Sequence, residues 1–194
     1  MAADRALRSE SRLSLRWVLV RTLVMALANV ADLEARSRPL YRDNRELGEQ
    51  ISSARRALDF AKYLRNIVVG HLNPAVTHSM VRWRPELLEF LQRQDENSLA
   101  FINLAAMEAA INSYVDDGGH KFFDSESDLV LPDEMQRFLN FLGETVLSSI
   151  SYVDALANVA IANAQLPDYS RESARLIAEA AATEWAFVTR GGQR

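Results

Sequence analysis

From Phe138 onward, apolar residues fall at Leu142, Val146, Ile150, Val153, Ala157 and Ile161, always three or four positions apart. That rhythm belongs to one face of an α-helix, and a strand, whose side chains alternate with period two, does not produce it. Pro132, Asp133 and Glu134 suit the helix's first turn, the proline by its fixed φ and the acids by the helix dipole. A helix this long must be covered along one side. The rest of the chain is therefore expected to supply long helical partners.

The remaining sequence meets that demand. Seven glycines and five prolines fall mostly between periodic runs, and no stretch alternates long enough to predict a strand. A first helix is expected from about Ser11 to Arg36, apolar on most of its circumference and so central, with Pro39 ending it. A second is expected from about Arg42 to Val69. Residues 73–80 read as a connection. A third helix starts near Pro85 and reaches about Val115, with a break at Asp95, Glu96 and Asn97. Asp116 to His120 is a loop by its glycines, extended by the acidic run 124–128. After the fourth helix, Pro167 closes a connection and Asp168 or Ser170 caps a last helix to about Val188. The fold class is therefore all-α, an up-and-down bundle of four long helices with a fifth, C-terminal one. Residues 1–10 are polar and expected to be loose, and 11–190 form a single helical-bundle domain.

Composition narrows the chemistry. The chain has no cysteine, so disulfides, thiolate metal sites and thiol nucleophiles are excluded. Near the start, the uncharged stretch from Thr22 to Ala31 is far shorter than the roughly 20 residues a membrane span needs. No signal-peptide pattern precedes it. The expectation is a cytoplasmic protein without a membrane partner. Residues 1–97 carry 16 Lys/Arg against 12 Asp/Glu, a balance of +4, and residues 98–194 carry 6 against 14, a balance of −8. A basic face of that kind orients a polyanion, although long helices also carry arginines on solvated faces.

One stretch suggests chemistry. Leu47, Ile51, Ala54, Leu58 and Ala61 mark a buried helical face, and the next position in the series is Arg65. Arginine hardly loses its proton, so on such a face it needs a carboxylate, carbonyls or an anionic ligand. Asp32 and Glu108 are the candidate partners within the chain. His71 follows Gly70, where a helix can end. On a straight helix it would point roughly 120° away from Arg65, so joint action requires a bend, a stop or a second copy of the chain.

The segment Leu64-Arg65-Asn66-Ile67-Val68-Val69-Gly70-His71 resembles the motif of the HEPN superfamily, in which an arginine, often followed by a polar residue, precedes a histidine by five to seven positions. Here the arginine is Arg65, the polar residue Asn66 and the histidine His71. The likeness covers about residues 44–72. It implies an all-helical, metal-independent endoribonuclease that works as a homodimer with facing motifs, of the kind found in toxin–antitoxin pairs and phage defence. It also implies RNA, and an antitoxin or regulatory protein, as partners. The motif ends the second of five helices, whereas in many members it lies nearer the C-terminus, which suggests a divergent, abortive-infection type of member. The implied catalytic residues are Arg65, Asn66 and His71. The other reading of the same residues is a non-catalytic bundle that binds a partner.

Other constellations are weaker. His71 and His78 match no common zinc spacing. Asp124, Glu126 and Asp128 imitate a calcium loop, but Met135 stands where its glutamate belongs. Ser148, Ser149 and Ser151 have no nearby histidine, and no glycine-rich phosphate loop is present. No cofactor and no metal is expected.

Overall fold

The computed structural model describes residues 13–70, 73–93, 96–116, 119–123 and 125–164, together with Leu176 and Glu179. His71, the first ten residues and most of the expected last helix lie outside the described residues. Residues to Ala157 form one compact unit and those from Asn158 a second.

The described residues are mostly helical, as the periodicity predicts. Helix α1 spans Leu13–Ser37 and runs into a 3-10 turn, Arg38–Arg42, at Pro39. The expected second helix is divided into α2, Arg45–Ser52, and α3, Arg55–Leu64, followed by a π turn, Arg65–Val69. The segment expected to be a connection is instead helix α4, Pro74–Trp83, where Asn73 caps the first turn by accepting from the Ala75 N–H at 2.8 Å. The expected third helix is two, α5, Leu87–Arg93, and α6, Glu96–Asn112. The glycine loop holds a small antiparallel ladder, β1 Val115–Asp116 with β2 Gly119–His120. Gly119 sits at φ +115°, where a side chain would be strained. Helix α7 spans Pro132–Asn163.

In the first unit α1 is the hub, packing on α3, α6 and the π turn, while α6 also packs on α4 and α5. Trp17, Val20, Val24, Leu27, Ala28 and Ala31 bury its inner side. Phe60 of α3 stacks on Phe122 with centroids 4.7 Å apart and meets Phe141 of α7 at 5.4 Å, which ties α7 to the core. Buried charges are paired. Glu34 accepts from Arg38 and Arg55, and Arg84 grips Glu108 through two bonds of 2.9 and 3.0 Å. Burial pushes the Glu34 carboxyl up, but the hydrogen bonds from Arg38 and Arg55 outweigh it and leave the group below the usual range.

Helix α7 departs from its expected orientation. Phe138 and Leu142 are buried as the stripe predicts, yet Ile150 and Val153 are 42% and 37% exposed. The face turned inward carries Phe141, Thr145, Ser149, Tyr152 and Leu156. Its polar members cost little to bury because each is satisfied: Thr145 and Ser149 donate to carbonyls four residues back at 2.7 Å, and the Tyr152 hydroxyl meets that of Tyr41 at 2.8 Å. By length and composition α7 could also cross a membrane, with a mean hydropathy of 1.4 over its most apolar stretch, 22% of which is buried.

Candidate functional site

The periodic face that leads to Arg65 is buried throughout: Leu47, Ile51, Ala54, Leu58 and Ala61 are all in the core. Arg65 itself is not. Its side chain is 23% exposed and reaches out to α1, where Nη1 donates to Asp32 Oδ2 at 2.8 Å. Lys62, one turn earlier, places Nζ 2.7 Å from the other oxygen of the same carboxylate. The partner is thus Asp32, whereas Glu108 serves Arg84. Hydrogen bonds from Lys62 and then Arg65 hold the Asp32 carboxyl at about 2, well below the ordinary 3.8.

The backbone under this cluster is unusual. Helix α3 does not stop at Arg65 but widens into a π turn, in which the Gly70 N–H donates to the Arg65 carbonyl at 2.8 Å. A second long bond runs from the Asn73 N–H to the Ile67 carbonyl at 3.0 Å. From α1, Arg21 Nη2 donates to the Val68 and Val69 carbonyls at 3.3 and 3.2 Å, and its Nη1 donates to Asn103 Oδ1 at 3.0 Å. Carbonyls freed by the wide turn are thereby satisfied by a side chain from 47 positions away. A Cβ on Gly70 would lie 3.2 Å from the Arg65 carbonyl, so the turn leaves little room for a larger residue.

Asn66 is exposed, and its Oδ1 accepts from Arg65 Nε at 3.1 Å. With Nε on Asn66 and Nη1 on Asp32, Nη2 of Arg65 has no acceptor among the described residues. Two cations therefore share one carboxylate, and the cluster carries a local balance of +1 with one guanidinium nitrogen unmet among the described residues. That arrangement suits an oxyanion. The motif's third member, His71, lies outside the described residues. Among the described residues no group of acids and histidines is placed to hold a metal ion. His120 is structural: its Nδ1 accepts from the Phe122 and Phe123 N–H groups, which directs Nε2–H to the Ile111 carbonyl at 2.7 Å.

A separate cleft of about 730 Å³ lies between the start of α3 and the first half of α7, floored by Phe122, Phe123 and Phe141. Its arginines are engaged. Arg56 donates to the Lys121 carbonyl, and Arg137 donates to Ser127 at 2.8 Å and pairs with Glu134. Sequence reasoning missed this cleft, and it also missed Lys62 and Arg21, although Lys62 sits three positions before Arg65 on the same helix face. No model of a known protein family matches the chain, and no curated protein or solved structure matches it either.

Proposed function

We propose that the chain is a metal-independent endoribonuclease of the HEPN type, acting in the cytoplasm as a homodimer on RNA. An antitoxin or regulatory protein restrains it, as in a toxin–antitoxin pair or phage defence. This reading also carries the architecture of an up-and-down bundle of four long helices with a fifth at the C-terminus. The observation that carries the proposal is the Lys62–Asp32–Arg65 cluster, where Nη2 of Arg65 has no acceptor among the described residues, beside the exposed Asn66.

The chemistry uses the substrate's own 2′-hydroxyl. Its proton leaves as O2′ bonds to phosphorus, the P–O5′ bond breaks, and the 5′ oxygen takes up a proton, giving a 2′,3′-cyclic phosphate and a 5′-hydroxyl. Arg65 holds the non-bridging oxygens, where charge builds up in the transition state. Lys62 adds a second positive charge beside it, and Asp32 fixes the approach of both side chains. Asn66 orients the phosphate or His71. His71 transfers the proton, as an imidazole with an ordinary pKa of about 6.5 can near neutral pH. One imidazole does not act as acid and base at once, which is the reason for a second copy.

The test is incubation of the purified chain with RNA in excess chelator, with product ends analysed for cyclic phosphate. His71→Ala is expected to slow cleavage by about 10²-fold or more, and Arg65→Ala to abolish it. Cleavage that needs a divalent metal, or that survives both substitutions, refutes the proposal. One observation favours a second reading, a non-catalytic partner-binding or regulatory protein: the exposed Ile150 and Val153 on the apolar stripe of α7.

A further inference from the structure

Helix α7 has a groove on each flank. Towards α1 the groove is apolar, with Val146, Ile150 and Val153 opposite Ala26 and Val30. Towards α3 lies the cleft of about 730 Å³, a volume within the range of small-molecule sites, and its lining is of another kind. Asp133, Gln136, Arg137, Asn140, Glu144 and Ser148 recur every three or four positions, so α7 lines it with a polar face. On the floor, the Arg56 guanidinium lies over the Phe122 ring at 5.9 Å and that of Arg137 over Phe123 at 4.8 Å. Rings and guanidinium planes both stack on flat conjugated ligands. The charges of Arg56 and Arg137 cancel those of Asp133 and Glu144, so the lining favours an uncharged ligand.

The polar groups left without partners define the edge of that ligand. Gln136 Nε2 donates to Asn140 Oδ1 at 2.8 Å, which occupies the Asn140 carbonyl and leaves its Nδ2 with no acceptor among the described residues. Glu144, one turn further along the same face, is exposed and has no hydrogen bond or ion pair among the described residues. An amide donor thus stands beside an acceptor-only carboxylate. We infer that the cleft binds a guanine base. Asn140 donates to O6, and the Glu144 carboxylate accepts from N1–H and N2–H. No other RNA base sets two N–H groups on neighbouring positions beside a carbonyl. Arg56 lies nine positions before Arg65, about 13 Å along the helix and on its opposite side. The site therefore stands apart from the Arg65 cluster, and base binding does not depend on cleavage there.

Calorimetric titration of the full chain with guanosine is expected to show binding. Inosine, which lacks the N2 amino group, and adenosine should each bind about 10-fold more weakly or worse. Glu144→Gln, at an exposed position, removes the paired acceptor and should weaken guanosine by a similar factor. Asp133→Asn, about 16 Å away along α7, should leave it unchanged. Competition identifies the source of the base: guanosine displaced by the RNA UUGUU but not by UUAUU assigns guanine to a strand, and guanosine displaced by neither assigns it to a free nucleoside. No binding at millimolar guanosine overturns the inference, as does adenosine binding as tightly as guanosine. Further refuting results are guanosine binding unmoved by Glu144→Gln, an equal loss on Asp133→Asn, and displacement by both RNAs alike.

Discussion

Replacing Asp32 by asparagine separates a phosphate site from an ordinary structural ion pair, because the two predict opposite changes in RNA binding. The fall of the carboxyl from 3.8 to about 2 corresponds to at most about 2.4 kcal/mol, at about 1.36 kcal/mol for each tenfold change in acid dissociation. A third of the side chain faces water. Solvent screening at such a site reduces the stabilisation to about 1 kcal/mol, or about 2 to 4 °C in Tm for a chain of this size. The folded carboxyl lies below its unfolded value, so this stabilisation is complete above about pH 4 and disappears as the pH falls through about 2. Urea midpoints of the wild type and Asp32→Asn should therefore differ at pH 6 and converge near pH 2. RNA binding should move the other way. Removing the carboxylate raises the local balance from +1 to +2, worth about 1 kcal/mol for a charge about 4 Å away in water. Anisotropy with a labelled oligouridine should thus show about fivefold tighter binding at low salt and a salt slope steeper by about 0.7 per added phosphate contact. Weaker binding in step with lower stability would refute the assignment of Arg65 to phosphate, and a stability gap that persists at pH 2 would refute the role of the ionised carboxyl.

Two further substitutions test the framework. Arg21→Ala removes three charge-assisted hydrogen bonds at a half-buried position and is expected to cost about 1 to 3 kcal/mol. The Gly70 and Asn73 amides should then exchange faster with solvent, and unchanged exchange there would mean that Arg21 does not hold the π turn. Phe60→Ala empties the centre of the aromatic cluster and should cost about 3 to 5 kcal/mol, measured by urea unfolding; a loss below about 1 kcal/mol would place the core elsewhere.

What the sequence reveals depends on how far apart the deciding residues lie. The series Leu47, Ile51, Ala54, Leu58 and Ala61 predicts burial correctly even though the helix breaks between Ser52 and Arg55, because one turn's irregularity leaves the face intact. Helix α4 escaped notice because only Val76 and Met80 of it are buried, too few to show a period, although Asn73 and Pro74 form a proper helix start. The π turn depends on Arg21, a residue of another helix, and no local pattern announces it. On α7 periodicity names the apolar stripe correctly but assigns it to the wrong environment. Hydroxyls that bond their own helix can be buried almost as readily as methyl groups. Thr145 and Ser149 therefore go inside, Tyr152 joins them with its hydroxyl on that of Tyr41, and Ile150 and Val153 are left facing out.

These placements give α1 three distinct duties around its circumference. Its inner side builds the core through Val24 and Leu27, Asp32 holds Lys62 and Arg65, and Ala26 and Val30 wall the apolar groove. Asp32 lies two positions beyond Val30, about 200° further round α1 at about 100° per residue, so a charge set on the groove at Ile150 leaves the Lys62–Asp32–Arg65 cluster intact. Ile150→Glu is therefore expected to leave RNA binding unchanged, and weaker binding would mean that groove and cluster are coupled through α1.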